Sequence, residues 1–266
     1  MFLYKTLPDG SQVANGEIFP LVTLIFSVLA ALMYLVCYKM CTERIIIDDS
    51  KRESINFGKT LKSILTNRAL IGIIIVYVSL LAAQMFNQTM TNYIFKDYFN
   101  NTLGISIMGA AGMLPMLLLA PLAVPLARKM GKRELGIACA ISSTVAYALL
   151  FVLQTENMWV YIIISILGML GFSLFNLIIW AFVSDIIDDH EVKTNNREDA
   201  TIYAVCSFSR KIGQAIASGL GGWTLSLIGY VEGATRQTEA VTKSMYNAST
   251  LLPVCLYVLV IISLGW

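Results

Sequence analysis

Residues 69–95 read ALIGIIIVYVSLLAAQMFNQTMTNYIF. No Lys, Arg, Asp or Glu interrupts the run. As a helix it rises about 40 Å at 1.5 Å per residue, enough to cross a bilayer core of about 30 Å. A helix on the surface of a soluble domain needs a charged face. Here the polar side chains are amides and hydroxyls, gathered in the second half. The stretch therefore reads as a membrane span with a polar patch, and the rest of the chain repeats the pattern.

Of the 266 residues, 57% are hydrophobic and 14% charged, and the mean hydropathy is +0.70. An ordinary soluble domain carries roughly 25% charged residues, so this chain cannot cover one large core with a charged surface. The same numbers exclude a disordered chain and a disulfide scaffold. A net charge of +2 is too small for a nucleic-acid footprint, so no nucleic-acid partner is expected. The cysteines at 37, 41, 139, 206 and 255 lie in or beside apolar runs and form no CxxC pair. They read as core residues rather than metal ligands.

The fold class that follows is an all-α membrane protein with about seven spans, at 17–41, 69–95, 104–127, 134–153, 158–183, 200–229 and 247–266. The domain reading has three parts. Residues 1–41 form an outer lead-in and first span, 42–68 a polar cytoplasmic linker, and 69–266 a six-helix bundle whose last helix looks truncated. Orientation comes from basic residues at the span ends. One side collects 13 of the 19 Lys and Arg, including Lys39, Arg44, Arg128, Lys132, Arg133, Lys193 and Arg197. The other side holds Lys5, Lys96, Arg236 and Lys243. The expectation is an N-terminus outside and a C-terminus in the cytoplasm of a multi-pass plasma-membrane protein.

Polar groups inside the spans are the candidates for chemistry. In the second span Gln84, Asn87, Gln88, Thr91 and Asn92 recur at i, i+3, i+4, i+7 and i+8 and share one face. Turned to lipid they would be unsatisfied, so the face looks into the bundle or a wet cavity. Neutral donors and acceptors suit a polyhydroxylated ligand; interhelical bonding that only holds the bundle together is the alternative. In the sixth span Lys211 falls near mid-membrane, where a Lys or Arg costs about 2.5–3.5 kcal/mol and usually faces a functional interior. Ser207, Arg210 or Lys211, Gln214 and Ser218 continue a polar stripe. A buried ion pair locking two helices is the competing reading.

The fifth span ends with Asn176 and Trp180 on one face, then Asp185, Asp188, Asp189 and Glu191. Asp185 and Asp188 are placed to answer Lys193 and Arg197 across the turn. Trp180 serves as an interfacial anchor or as a stacking surface for a sugar ring. His190, the chain's one histidine, is expected to be exposed and incidental. Without a second histidine or a nearby nucleophile no enzyme is expected. Small residues at 109–112 and at Gly213, Ala217, Gly219, Gly221 and Gly222 permit close helix approach.

The block from Asp185 to Lys211, with Asp188, Glu191, Lys193, Arg197, Asp199 and Tyr203 between them, resembles the glycoside–pentoside–hexuronide:cation symporters. These are the melibiose-permease-like branch of the major facilitator superfamily. FSRKIGQAIASGLGGWTLSLIGY at 208–230 and the basic turn LARKMGKRE at 126–134 are similar to that family too. The resemblance implies that the spans are helices six to twelve of a twelve-helix carrier. It implies that Lys211 sits beside the sugar and helps couple it to the cation, and that Cys206 and Ser207 reach the substrate. With the polar faces above, the set expected for substrate binding is Lys211, Ser207, Cys206, Gln214, Asn87, Gln88, Thr91, Asn176 and Trp180. With the junction charges and Arg210 read above, the set expected for coupling or gating is Lys211, Arg210, Asp185, Asp188, Lys193 and Arg197. No resident cofactor is implied. The co-transported Na⁺ or H⁺ is expected to bind in the missing N-terminal half.

The function expected is cation-coupled symport of sugars or glycosides by alternating access, with this chain as the carrier's C-terminal part. Its partners would be the sugar, a monovalent cation, the bilayer and the missing half. A non-transporting half-carrier or partner-binding remnant is the alternative, and a seven-helix receptor or sensor a more distant one.

Overall fold

The structure, a computed structural model, describes residues 4–6, 12–14, 18–41, 67–101, 103–194, 199–232, 234 and 236–266. Arg197 and most of the expected 42–68 linker lie outside the described residues. The chain forms two compact units, 1–56 and 57–266.

The first unit holds a short antiparallel hairpin and one helix. Strand β1 (Tyr4–Thr6) pairs with β2 (Gln12–Ala14), with Lys5 opposite Val13. Helix α1 (Ile18–Met40) is apolar on every side, the composition of a span rather than of an amphipathic helix.

The second unit is a bundle of six helices. They are α2 (Arg68–Tyr93, prolonged by a π-helical turn Ile94–Tyr98), α3 (Leu103–Met130), α4 (Lys132–Leu153), α5 (Met158–Thr194), α6 (Asp199–Leu227) and α7 (Glu239–Gly265). Helix α2 packs chiefly on α6 and α7, α4 on α5 and α7, and α3 on α5. Leu70, Val76, Leu80, Phe175 and Ile179 lie in the common core. Among the described residues six helices, α1 to α5 and α7, are long and apolar enough to cross a membrane. Helix α6, with 29 residues, has the length, but its polar stripe lowers its hydropathy.

The helices overrun the spans read from hydropathy, because a helix does not stop where the bilayer does. Helix α5 continues to Thr194 rather than ending near 183, and its polar end carries a Lys193–Asp189 pair at 2.7 Å, one turn apart. Helix α7 starts at Glu239 rather than 247, since Met245 and Tyr246 of its polar first turns are buried in the core.

The two ends of the bundle differ. At the basic end, Arg133 donates from Nε to the Leu264 carbonyl (2.6 Å) and from Nη2 to that of Gly265 (2.7 Å). Arg68 bonds the Trp266 carbonyl. These guanidinium groups satisfy carbonyls that the last turn of α7 leaves open. At the opposite end Phe95, Phe99, Tyr161, Tyr98 and Tyr246 form a continuous aromatic cluster. Tyr230, in the connection after α6, donates to Asp97 Oδ2 (3.0 Å). Burial, then the Asp97 carboxylate, pushes its hydroxyl up to about 12, so it stays a donor at neutral pH.

Small residues divide into two groups. Gly213, Ala217 and Gly221 are buried where α6 meets α2. A Cβ at Gly213 would stand 2.9 Å from the Val78 carbonyl oxygen and 3.1 Å from its Cα. A Cβ at Gly109, Gly112, Gly219 or Gly222 would meet nothing within 4 Å among the described residues, so these glycines serve no close packing there. Sequence reading missed Gly171, where a Cβ would come 2.5 Å from the Cys139 carbonyl oxygen of α4. Gly213→Leu is expected to prise α6 from α2 at a cost of about 1–3 kcal/mol, lowering the melting temperature of the detergent-solubilised protein. Gly219→Ala should leave that temperature unchanged; equal effects would remove the close contact as the cause.

Candidate functional site

Two polar sites occupy successive levels of one side of α2. The first is a cavity of about 420 Å³, lined by all five residues of the predicted face, Gln84, Asn87, Gln88, Thr91 and Asn92. That volume lies in the range of small-molecule sites. Helix α3 contributes Met108 and Gly112, α5 contributes Met169, Phe172 and Ser173, and Tyr147 and Tyr257 complete the wall. Asn87 Nδ2 donates to the Tyr147 hydroxyl, and the Tyr147 ring stacks on Tyr257 at 6.0 Å with 10° between planes. Thr91 Oγ1 donates to the Asn87 carbonyl (2.8 Å). Asn87 thus joins α2 to α4 as well as lining the cavity. Gln84, Gln88 and Asn92 make no side-chain hydrogen bond among the described residues, which leaves their amides available to a ligand.

The second site centres on Arg210. Its guanidinium carbon lies 5.2 Å from the Trp180 ring centre and 6.0 Å from that of Tyr77. Tyr77 meets Trp180 edge-on at 6.4 Å, and Trp180 stacks on Tyr203 at 6.1 Å and 23°. Cation–π contacts of this kind contribute about 0.5–2 kcal/mol each, partly offsetting the cost of a charge at this depth. Lys211 is exposed on the same helix, and its Nζ donates to Gln214 Oε1 at 3.3 Å. Among the described residues the ion pairs are Lys132–Asp185 and Lys193–Asp189, so neither Arg210 nor Lys211 is neutralised by one. The buried helix-locking pair considered for Lys211 is not the arrangement found.

Helix geometry explains which residues share this site. On α6, Cys206, Gly213, Ala217 and Thr224 point into the core, whereas Phe208, Ile212, Ile216 and Trp223 form an exposed apolar face. Arg210, Gln214, Ser207, Ser218 and Lys211 lie between these two faces. On α5, Ser173, Asn176 and Trp180 fall at i, i+3 and i+7, a line from the amide cavity to Arg210. Tyr77 stands seven residues, about 10 Å along α2, before Gln84.

Several expectations need correcting. Cys206 is fully buried in the core, about 100° round the helix from Ser207, which is exposed. His190 is buried at 4% exposure rather than exposed. Asp185 does not answer Lys193. It takes Lys132 Nζ at 2.6 and 2.8 Å through both oxygens, joining α5 to the first residue of α4. Lys193 pairs with Asp189, and Asp188 is exposed at the same helix end. Residues missed in the sequence are Tyr77, Tyr147, Ser173, Tyr203 and Tyr257. Extending the α2 face two turns back reaches Tyr77, and extending the Asn176–Trp180 face one turn back reaches Ser173. Nothing local marked Tyr147 or Tyr257.

Known proteins give this geometry a context. The family described as MFS/sugar transport protein matches residues 3–264. The chain is 29% identical over 233 residues to the uncharacterized symporter YjmB of Bacillus subtilis, covering 84% of this chain and 48% of that protein. It is 24% identical over 248 residues to the glucuronide carrier protein homolog of Escherichia coli, covering 92% and 52%. The chain thus spans about half the length of the curated relatives it matches. A bundle of apolar helices with a polar interior, matched across almost its whole length, belongs to the sugar-transport family of the major facilitator superfamily.

Proposed function

We propose that this chain is the C-terminal part of a cation-coupled symporter that carries sugars or glycosides across the cell membrane by alternating access. The observation that carries the reading is Lys211, exposed midway along α6 with an amide as its partner and amide and aromatic groups on the neighbouring helices. A charge is costly at that depth unless it faces a polar interior, and in a carrier that interior is the substrate path. The amide cavity supports the substrate class, because neutral donors and acceptors match sugar hydroxyls. Its relatives' names, a symporter and a glucuronide carrier homolog, support the same class.

In this reading the basic end is cytoplasmic and the aromatic end external, following the distribution of Lys and Arg. The coupling ion, Na⁺ or H⁺, binds chiefly in the other half of the carrier. Transport requires the closed end to open. The Lys132–Asp185 pair is suited to that task because both side chains are about half exposed. Such a pair contributes about 0–1 kcal/mol and can be remade at little cost.

In the full-length carrier, Lys211→Ala should reduce gradient-driven sugar uptake more than tenfold while membrane abundance stays normal. Loss of insertion instead would make Lys211 a structural residue and sink the reading. For the gate, Asp185→Lys should slow uptake, and the reversed pair Lys132→Asp/Asp185→Lys should recover most of it. Normal uptake in the single variant would count against gating by this pair.

A further inference from the structure

Tyr147 stands where four helices meet at the wall of the amide cavity. From α2 the Asn87 amide donates to its hydroxyl oxygen. From α7 the Tyr257 ring stacks on its ring. From α5 comes Gly168, where a Cβ would stand 2.9 Å from Cε2 of the Tyr147 ring, so the ring keeps its place only beside a residue without a side chain. One turn before Tyr147 on α4, Ser143 Oγ donates to the Gly168 carbonyl (2.8 Å) and ties α5 down at that level. A phenol seated this way holds its hydroxyl at a fixed point of the wall.

The polar atoms left over at that point form a pair. The Tyr147 oxygen accepts from Asn87, and its own proton has no acceptor among the described residues. Asn87 spends an N–H on Tyr147, and its Oδ1 has no donor among them. Both residues border the cavity, yet they are only 2% and 6% exposed. A buried donor beside a buried acceptor costs free energy until a ligand answers both. A hydroxyl does so, because it donates one hydrogen bond and accepts others. An ether or a carboxylate has no proton for Asn87, and a methylene answers neither group.

We infer that Tyr147 is a specificity-determining residue of the carrier, reading one hydroxyl of the substrate together with Asn87: Tyr147 donates to that hydroxyl and Asn87 Oδ1 accepts from it. This rests on the transport reading above and gives the cavity the task of telling one hydroxyl pattern from another. Asn87, Tyr257 and Gly168 hold the phenol before a ligand arrives, so binding costs little side-chain freedom. A sugar without that hydroxyl leaves a buried donor and acceptor unanswered, and sites built to bond a hydroxyl reject such analogues strongly.

The test uses the full-length carrier in lipid nanodiscs. The probes are methyl β-glucoside, methyl β-galactoside and the monodeoxy analogues of each. For the better-bound parent, calorimetric titration should find at least one deoxy analogue that binds about tenfold or more weakly. In Tyr147→Phe, which keeps the ring and its stack, one such penalty should shrink to within about threefold while those at the other hydroxyls stay as they were. Gly168→Ala keeps every polar group but displaces the ring, and it should shrink the same penalty and no other. Wild-type penalties all within about threefold overturn the inference and leave the transport reading standing. Penalties that all survive in Tyr147→Phe overturn it too, since the hydroxyl is then read by other groups. Should Tyr147→Phe fail to fold, Gly168→Ala decides in the same way. Binding of no probe, with no gradient-driven uptake of either parent in proteoliposomes, defeats the transport reading and this inference with it.

Discussion

A bilayer offers no water to a polar side chain, and that constraint orders the whole bundle. Every amide, hydroxyl or charge placed in a span must find a partner inside protein or face a wet path. Hence α2 turns Asn87 to Tyr147 and its remaining amides to a cavity, and α6 separates its surface into a packed side, an apolar side and a polar strip between them. The apolar strip of Phe208, Ile212, Ile216 and Trp223 can meet lipid; the strip of Ser207, Lys211 and Ser218 cannot do so cheaply.

The same constraint shapes the seam between α6 and α2. The close contact of α6 with α2 uses residues without polar side chains, Gly213, Ala217 and Gly221, which let backbones approach. The polar groups of α6, Ser207, Arg210, Lys211, Gln214 and Ser218, lie on the other strip, away from the α2–α6 seam. Asn87 both lines the cavity and bonds Tyr147 across to α4. A ligand that competes for its amide would loosen or tighten a helix contact, a direct link from binding to movement.

Periodicity and hydropathy made much of this legible beforehand. The i, i+3, i+4, i+7, i+8 recurrence from Gln84 to Asn92 placed five residues on a single face, and the structure puts all five on one cavity. Helix ends were less legible, because hydropathy reports the bilayer whereas α5 and α7 run past it on polar turns held by Asp189–Lys193 and by buried Met245 and Tyr246. Partners distant in sequence were not legible. Lys132 and Asp185 are 53 residues apart, and only the folded bundle brings the α4 start to α5. His190 misled for a related reason: neighbouring charges suggested exposure, but tertiary packing covers the ring. Cys206 was placed at the site by resemblance, and the helical phase of α6 buries it in the core, about 100° from the exposed Ser207.

The relation of Arg210 to Lys211 shows how much rests on one residue of helical phase. Successive residues are 100° apart, so on α6 Lys211 points to the open side while Arg210 leans back toward the α2 and α5 rings. Two cations with nearly equal charge therefore meet different surroundings. The ammonium of Lys211 keeps its flexible stem and a neutral amide partner. The guanidinium of Arg210 is held between two rings. Adjacent positions on one helix thus give one mobile cation and one held cation without a second polar span.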